Sequence, residues 1–186
     1  MTADSRLPYV SIIVAFHNQA SYLRKCVLSL VELDYPEDSY EIVLVDDGSS
    51  DDWKGAVSDL LQSCRRRLKL LSENDVGPAA SRNSGISISE GSIIAITDAD
   101  CVVDKQWLKH HVKHYSDPKV GGVEGKVETD WDLLSRPRRT APAGFRYVTA
   151  NMSYRRRTLE DVDLFDERFR WKEDDELAYR IMKRGW

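Results

Sequence analysis

Cysteine is scarce. The 186-residue chain has three, Cys26, Cys64 and Cys101, an odd and scattered set with no CxxC and no Cys/His cluster. That excludes a zinc-bound or disulfide-framed scaffold and points to a reducing compartment. Long hydrophobic runs are missing too. No stretch is apolar enough to span a bilayer, and the N-terminus lacks a signal-peptide pattern. Charge of one sign is not in large excess. A formal net charge of −4 gives no general pull toward nucleic acid or an anionic membrane. No GxGxxG follows the first apolar segment, which argues against a dinucleotide site. Internal repeats and low-complexity linkers are also lacking. What remains suits a single domain long enough to bury a core.

What is present is organised around Ile93-Ile94-Ala95-Ile96-Thr97-Asp98-Ala99-Asp100. The uninterrupted β-branched run reads as a strand buried on both faces. It ends in two carboxylates one residue apart. On a strand, positions i and i+2 point the same way, so Asp98 and Asp100 would offer oxygen donors to one place. Mg²⁺ or Mn²⁺ takes such carboxylates together with phosphate oxygens. A polar turn that caps the strand explains the same two residues without a metal.

The rest of the chain alternates. Val10–Phe16 reads as a buried strand, followed by a turn at His17-Asn18-Gln19-Ala20 and a helix from about Ser21, with Leu23, Val27 and Leu30 on one face. Tyr40–Val45 is a second strand, running into the turn and cap Asp46-Asp47-Gly48-Ser49-Ser50. Trp53, Val57, Leu60 and Leu61 carry a second helix, and Leu68–Leu71 a third strand. Gly77-Pro78 opens a third helix, which Gly91 ends. Asp104 is expected to cap a fourth helix bearing Leu108, Val112 and Tyr115. Strand–helix alternation predicts an α/β fold, a mostly parallel central sheet flanked by helices. Ligands then bind beyond the carboxyl ends of the strands, where His17-Asn18, Asp46-Asp47 and Asp98-Ala99-Asp100 converge.

From about Val120 the character changes. Val120–Asp130 is punctuated by glycine and reads as another strand. Residues 133–159 contain no acid but hold Arg136, Arg138, Arg139, Arg146, Arg155, Arg156 and Arg157. They are either a solvated surface or a loop facing a phosphate-bearing acceptor or a membrane, since guanidinium recognises phosphate well. Trp107, Trp131 and Trp171 could stack on a sugar face or simply pack. A final helix is expected from Glu173 to Arg184, with Leu177 and Ile181 one turn apart. The chain stops at Gly185-Trp186 directly after that helix, which suggests a domain of a longer protein.

Taken together, several segments resemble a family 2 glycosyltransferase of the GT-A fold. They are Val10–Asn18, Glu41–Asp51, Gly77–Gly85, Thr97–Asp100, Ala150–Arg155, Phe165–Phe169 and Glu173–Arg180, in that order over nearly the whole chain. The resemblance implies one glycosyltransferase domain over residues 1–186. Residues 1–119 would bind the nucleotide-sugar. Residues 120–186 would bind the acceptor, with the chain truncated at its C-terminus. It implies inverting, metal-assisted transfer of a hexosyl or N-acetylhexosaminyl group from a nucleotide-sugar, above all a UDP-sugar, to an acceptor hydroxyl. The acceptor would be a carbohydrate or lipid-linked, as in cell-envelope polysaccharide synthesis. The location would be cytoplasmic, with peripheral contact at the inner face of the membrane and no nucleic-acid partner.

The residues follow from the same match. Ala15, Phe16, Asn18, Asp46 and Asp47 would border the nucleobase and ribose, Arg82 would face the nucleotide, and Asn151 would contact substrate. Asp98 would lie near ribose and metal, and Asp100 would ligate Mn²⁺ or Mg²⁺. Asp174 would be the general base, with Glu173 beside it. A sugar hydroxyl is a poor nucleophile and needs a carboxylate to take its proton. The family often adds a histidine metal ligand beyond the point where this chain ends; His17, His110, His111 and His114 do not match it. Two rivals remain. A sugar-phosphate nucleotidyltransferase would want a glycine-rich, basic loop after the first strand, and Ala15–Gln19 has none. A non-catalytic nucleotide-sugar-binding domain would have no need of Asp98, Asp100 and Asp174 together.

Overall fold

The structure is a computed structural model that describes residues 7–64, 67–128 and 148–186. Its elements are β1 (Val10–Phe16), α1 (Ala20–Val31), β2 (Tyr40–Asp47), α2 (Trp53–Ser63), β3 (Leu68–Glu73), α3 (Pro78–Ile88), β4 (Ile93–Ile96), α4 (Trp107–Val112), β5 (Gly122–Glu124), β6 (Met152–Arg155), α5 (Arg156–Glu160) and α6 (Glu173–Arg184). One sheet holds all six strands of the described residues, in the order β3-β2-β1-β4-β6-β5. The first four are parallel, and β6 runs antiparallel to both β4 and β5. The α/β, mostly parallel architecture expected from the strand–helix alternation is present.

Each face of the sheet carries its own core. Val10, Ile12, Val14 and Phe16 alternate along β1 toward Leu23, Val27 and Leu30 of α1, Val57 of α2 and Leu108 of α4. Ile13, Val43, Val45, Ile94 and Ile96 face the other way, onto Ile86 of α3, Leu159 of α5, and Leu177 and Ile181 of α6. Period-two alternation on a sheet covered on both sides leaves no polar face, so the strands read as continuous apolar runs. Each fully buried aliphatic side chain contributes about 1.5–3 kcal/mol. At Gly85, a Cβ would come within 2.9 Å of Ile13 Cγ2 and Val45 Cγ2, so α3 lies against the sheet only because that residue is glycine.

Register places the functional end. Phe16 is level with Asp46, Asp47 with Glu73, and Ile13 with Ile96. Because β6 is antiparallel, its first residue, Met152, pairs with Ile96. The segment entering β6 therefore arrives at the same edge as the carboxyl ends of β1, β2 and β4.

Three local expectations are corrected. β4 stops at Ile96, so Asp98 and Asp100 are not on a strand tip but in a turn closed by Cys101 N–H on Asp98 O at 3.0 Å. Asp46 and Asp47 are the last residues of β2 rather than a turn, and the α2 cap is Asp52, which accepts from Gly55 N–H at 3.0 Å. Asp104 does not cap α4. Its side chain accepts from Gln106 N–H at 2.8 Å, and the helix begins at Trp107. In each case a short-range acceptor of the expected kind is present, displaced by a residue or two. The glycine-punctuated segment does form a strand, β5, limited to Gly122–Glu124, and α3 ends at Ile88 before Gly91.

Candidate active site

A pocket of about 280 Å³ opens at the carboxyl ends of β1, β2 and β4. Ala15, Phe16, Asp47, Arg82, Asp98 and Asp100 all line it, so six of the residues singled out in the sequence meet in one cavity. Asn18 and Asp46 do not line it but shape its rim. Asn18 holds a left-handed backbone with φ 53°, and its Oδ1 accepts from Ser50 N–H at 2.8 Å and Asp51 N–H at 3.3 Å. Asp46 Oδ1 accepts from Ser49 N–H at 2.9 Å. Phe16 is 4% exposed and packs edge-on to Trp53 with ring centroids 5.0 Å apart, so most of its ring belongs to the core.

Asp47 has a second task that the sequence does not reveal. Its two carboxylate oxygens accept from Val76 N–H at 2.7 Å and Gly77 N–H at 2.9 Å. Gly77, at φ 97°, is in a region that side chains rarely enter, and Pro78 follows it at the start of α3. The carboxylate thus pins the turn that delivers α3, and with it Arg82, to the pocket. His17 donates from Nδ1 to Asp47 O at 2.7 Å, which leaves Nε2 to accept from Asn18 Nδ2 at 2.8 Å.

Glu173 and Asp174, which open α6, do not line this pocket; Arg82 ties the pair to it through Glu173. Arg82, 7% exposed, donates to Glu173 Oε1 at 2.6 Å, to Thr149 Oγ1 at 3.1 Å and to Asp98 Oδ1 at 3.3 Å. Asp174 is half-buried, and its carboxylate accepts from the backbone N–H of Asp175 at 2.9 Å. Burial pushes the Asp174 carboxyl up, Glu173 and Asp175 add to the rise, and the backbone N–H groups of Asp175 and Thr149 oppose it. Asp98 is also raised, mainly by burial and further by Asp100 and Asp174, with Arg82 pulling the other way. Its side chain keeps 35% exposure, and Asp100 is exposed. No group of three or more His, Cys, Asp or Glu among the described residues is arranged to hold a metal ion.

Asn151 borders a neighbouring cavity of about 560 Å³ that shares Asp100 with the first. Its amide is engaged at both ends. Oδ1 accepts from Trp107 Nε1 at 2.8 Å and His111 Nε2 at 2.9 Å, and Nδ2 donates to Lys126 O at 2.9 Å. His111 Nδ1 then accepts from Ser153 Oγ at 2.7 Å, and Ser153 accepts from Tyr115 O–H at 2.8 Å. Burial lowers the His111 imidazole to about 4, which keeps it neutral. Thr149 and His111 were not anticipated. No local motif marks either one; each takes its role from partners distant in the chain.

The arginine-rich stretch resolves in part. Arg155 donates to the carbonyls of Tyr115, Asp117 and Val120, Arg156 to those of Ile86, Ser89 and Gly91, and Arg157 to that of Pro118. These three tie loops and the end of α3 together. Arg136, Arg138, Arg139, Arg146 and Trp131 lie outside the described residues. Trp107 is buried, and Trp171 is 87% exposed beside the acidic pair.

Comparison with known proteins accords with this geometry. Residues 11–171 match the profile of Glycosyl transferase family 2. Glycosyltransferase AglE of Haloferax volcanii is 36% identical over 124 residues, 67% of this chain and 41% of that protein. Beta-monoglucosyldiacylglycerol synthase of Trichormus variabilis is 28% identical over 200 residues, 97% of this chain and 42% of that protein. Among solved structures, the mannosyltransferase PcManGT from Pyrobaculum calidifontis, in complex with GDP-Man and Mn²⁺, superposes with a TM-score of 0.83 at 26% identity. That match covers 98% of this chain and 54% of that one. Staphylococcus aureus TarS 1–349 with UDP-GlcNAc superposes with a TM-score of 0.71 at 22% identity, over 95% of this chain and 54% of that one, and shares the fold. The chain spans about half the length of the relatives it matches, or less. It adopts the GT-A fold and belongs to glycosyl transferase family 2.

Proposed function

We propose that this domain transfers a sugar from a nucleoside-diphosphate donor to an acceptor hydroxyl, with inversion at the anomeric carbon. The observation that carries the reading is that one buried arginine bridges Asp98, which shares the pocket with Asp100, to Glu173, the neighbour of Asp174. A nucleotidyltransferase does not need a carboxylate on the acceptor side, and a passive binding domain does not need one held half out of water.

In this reading Ala15, Phe16 and Asp47 form the wall for base and ribose, with Asn18 and Asp46 setting the rim. Asp98 and Asp100 fit a divalent cation whose remaining positions are filled by diphosphate oxygens and water, because both are hard oxygen donors and Asp100 has no ion-pair partner among the described residues. Bound there, Mn²⁺ or Mg²⁺ supplies charge neutralisation for the departing nucleoside diphosphate. Asp174 accepts the proton of the acceptor hydroxyl as it attacks, and the N–H of Asp175 helps keep the receiving carboxylate oriented. Asn151, tied to Trp107 and His111, shapes the acceptor side of Asp100.

The family resemblance points to a UDP-sugar. The GDP-Man complex of the Pyrobaculum mannosyltransferase makes a GDP-sugar the second reading. A panel of nucleotides and nucleotide-sugars in thermal unfolding separates the two, since a ligand selective for the native state raises the melting temperature. The expected result is a shift with UDP and Mn²⁺ that EDTA abolishes. Equal shifts with Mn²⁺ and with EDTA would contradict the metal assignment, and a larger shift with GDP would select the second reading. The acceptor is proposed to be carbohydrate or lipid-linked. No helix among the described residues is long and apolar enough to cross a membrane.

A further inference from the structure

Arg82 projects from α3 toward the nucleotide pocket, yet its guanidinium is spent inside the protein. Its two terminal nitrogens reach Glu173 at 2.6 Å, Thr149 Oγ1 at 3.1 Å and Asp98 at 3.3 Å. The guanidinium carbon also stands 5.8 Å from the Phe165 ring centroid. Glu173 is 8% exposed and Thr149 is 3% exposed. Swinging Arg82 out to a ligand would leave a buried carboxylate without its partner, which is strongly unfavourable.

The contacts close on themselves. Arg82 binds Glu173, whose chain neighbour is Asp174. The Thr149 hydroxyl accepts from Arg82, and the Thr149 backbone N–H faces the Asp174 carboxylate closely enough to favour its ionised form. The ring joins α3, α6 and the turn entering β6, elements separated by 91 and 67 residues along the chain at their two arginine contacts. One bond leaves the ring, from Arg82 to Asp98 on the donor side.

We propose that Arg82 and Thr149 are positioning residues that hold Asp174 in line with the donor, Arg82 from the side of Asp98 and Thr149 from the side of β6. The inference rests on the proposed role of Asp174 as base. Glu173 in this arrangement is the anchor of the ring rather than an acceptor contact. Catalysis by a base depends on its placement, and a displacement of about 1 Å can cost about a hundredfold in rate. Thr149 is the sharper probe, because its side chain touches the ring and not Asp98.

The test compares kcat with donor affinity in the full chain, using UDP with Mn²⁺ in calorimetry and transfer at saturating substrates. Arg82→Met should lower kcat about a hundredfold and leave UDP affinity within about threefold of wild type. Arg82→Lys should recover part of that loss. Thr149→Val, which keeps the backbone N–H but loses the hydroxyl, should lower kcat about tenfold, and Thr149→Ser should restore it. If Arg82→Met does not fold, the two Thr149 variants decide. Tenfold weaker UDP binding in Arg82→Met with kcat preserved would make Arg82 a nucleotide contact and overturn the proposal. So would wild-type kcat in Thr149→Val. Absence of transfer by the wild-type protein from every donor would instead overturn the glycosyltransferase reading on which the proposal stands.

Discussion

A carboxylate that acts as a base must be ionised when the acceptor arrives, and the surroundings of Asp174 work against that. Burial and the adjacent Glu173 and Asp175 raise its carboxyl, while two backbone N–H groups hold it down. The rate should therefore fall as pH drops, with an acid limb above the ordinary aspartate value of about 3.9. A profile of kcat/KM against pH with no limb above that value would remove Asp174 from the role. Asp100 answers to a different readout. Asp100→Ala should leave the fold intact and erase the Mn²⁺-linked part of the UDP thermal shift, and an unchanged shift would place the metal elsewhere. Asp47 is expected to act on both binding and stability. Replacing it with alanine strands two buried or half-buried N–H groups, so Asp47→Ala should cost roughly 1.5–3 kcal/mol in denaturant unfolding as well as weaken UDP. Loss of UDP affinity at unchanged stability would mean that the bonds to Val76 and Gly77 matter less than their distances imply.

Elements with a strong local pattern were legible in the sequence, and those shaped by distant partners were not. The predicted bounds of α6 match because four acids open it, Lys183 and Arg184 close it, and Gly185 takes the left-handed backbone that ends a helix. β1 and β4 were visible as β-branched runs. The Asp98/Asp100 pair is legible in the sequence but its geometry is not, since the alternation of β4 ends at Ile96 and a turn follows. The pocket still gathers both carboxylates, because the turn that holds them follows β4 directly at the carboxyl end of the sheet. Arginine composition over 133–159 reads as a solvated surface or as a loop facing an acceptor or membrane, whereas Arg156 fastens the end of α3 by donating to three backbone carbonyls at 86, 89 and 91. Nothing in a linear reading specifies carbonyl partners about 65–70 residues away. Arg156→Met should therefore destabilise the fold by roughly 1.5–3 kcal/mol, judged by the denaturant midpoint at unchanged slope. A midpoint within error of wild type would show that water satisfies those carbonyls equally well.

At the scale of the whole molecule, the antiparallel entry of β6 is what completes the site. A sheet of parallel strands alone brings Ala15, Phe16 and Asp47 together with the Asp98–Asp100 turn; reversing β6 adds Thr149 and Asn151 at the same edge. The buried chain from Tyr115 through Ser153 and His111 to Asn151 fastens that reversed strand to α4. His111 is neutral there, with its imidazole lowered from about 6.5 to about 4. The unfolded chain therefore binds the proton first, and stability is full above about pH 6.5 and falls as pH drops toward 4. The loss reaches about 3 kcal/mol below that window. Urea unfolding at pH 7 and pH 5 should show the decline, and His111→Gln should flatten it. An equal decline in that variant would assign the pH dependence to other groups.

The division of labour between the two halves of the site is tested most directly by sugar transfer in Asp174→Asn at saturating donor and acceptor with Mn²⁺. The substitution preserves size and most hydrogen bonding but cannot accept the proton. Transfer should fall about a hundredfold or more while UDP-sugar affinity stays near that of the wild type. Wild-type transfer in Asp174→Asn would contradict the assignment and move the base to another carboxylate.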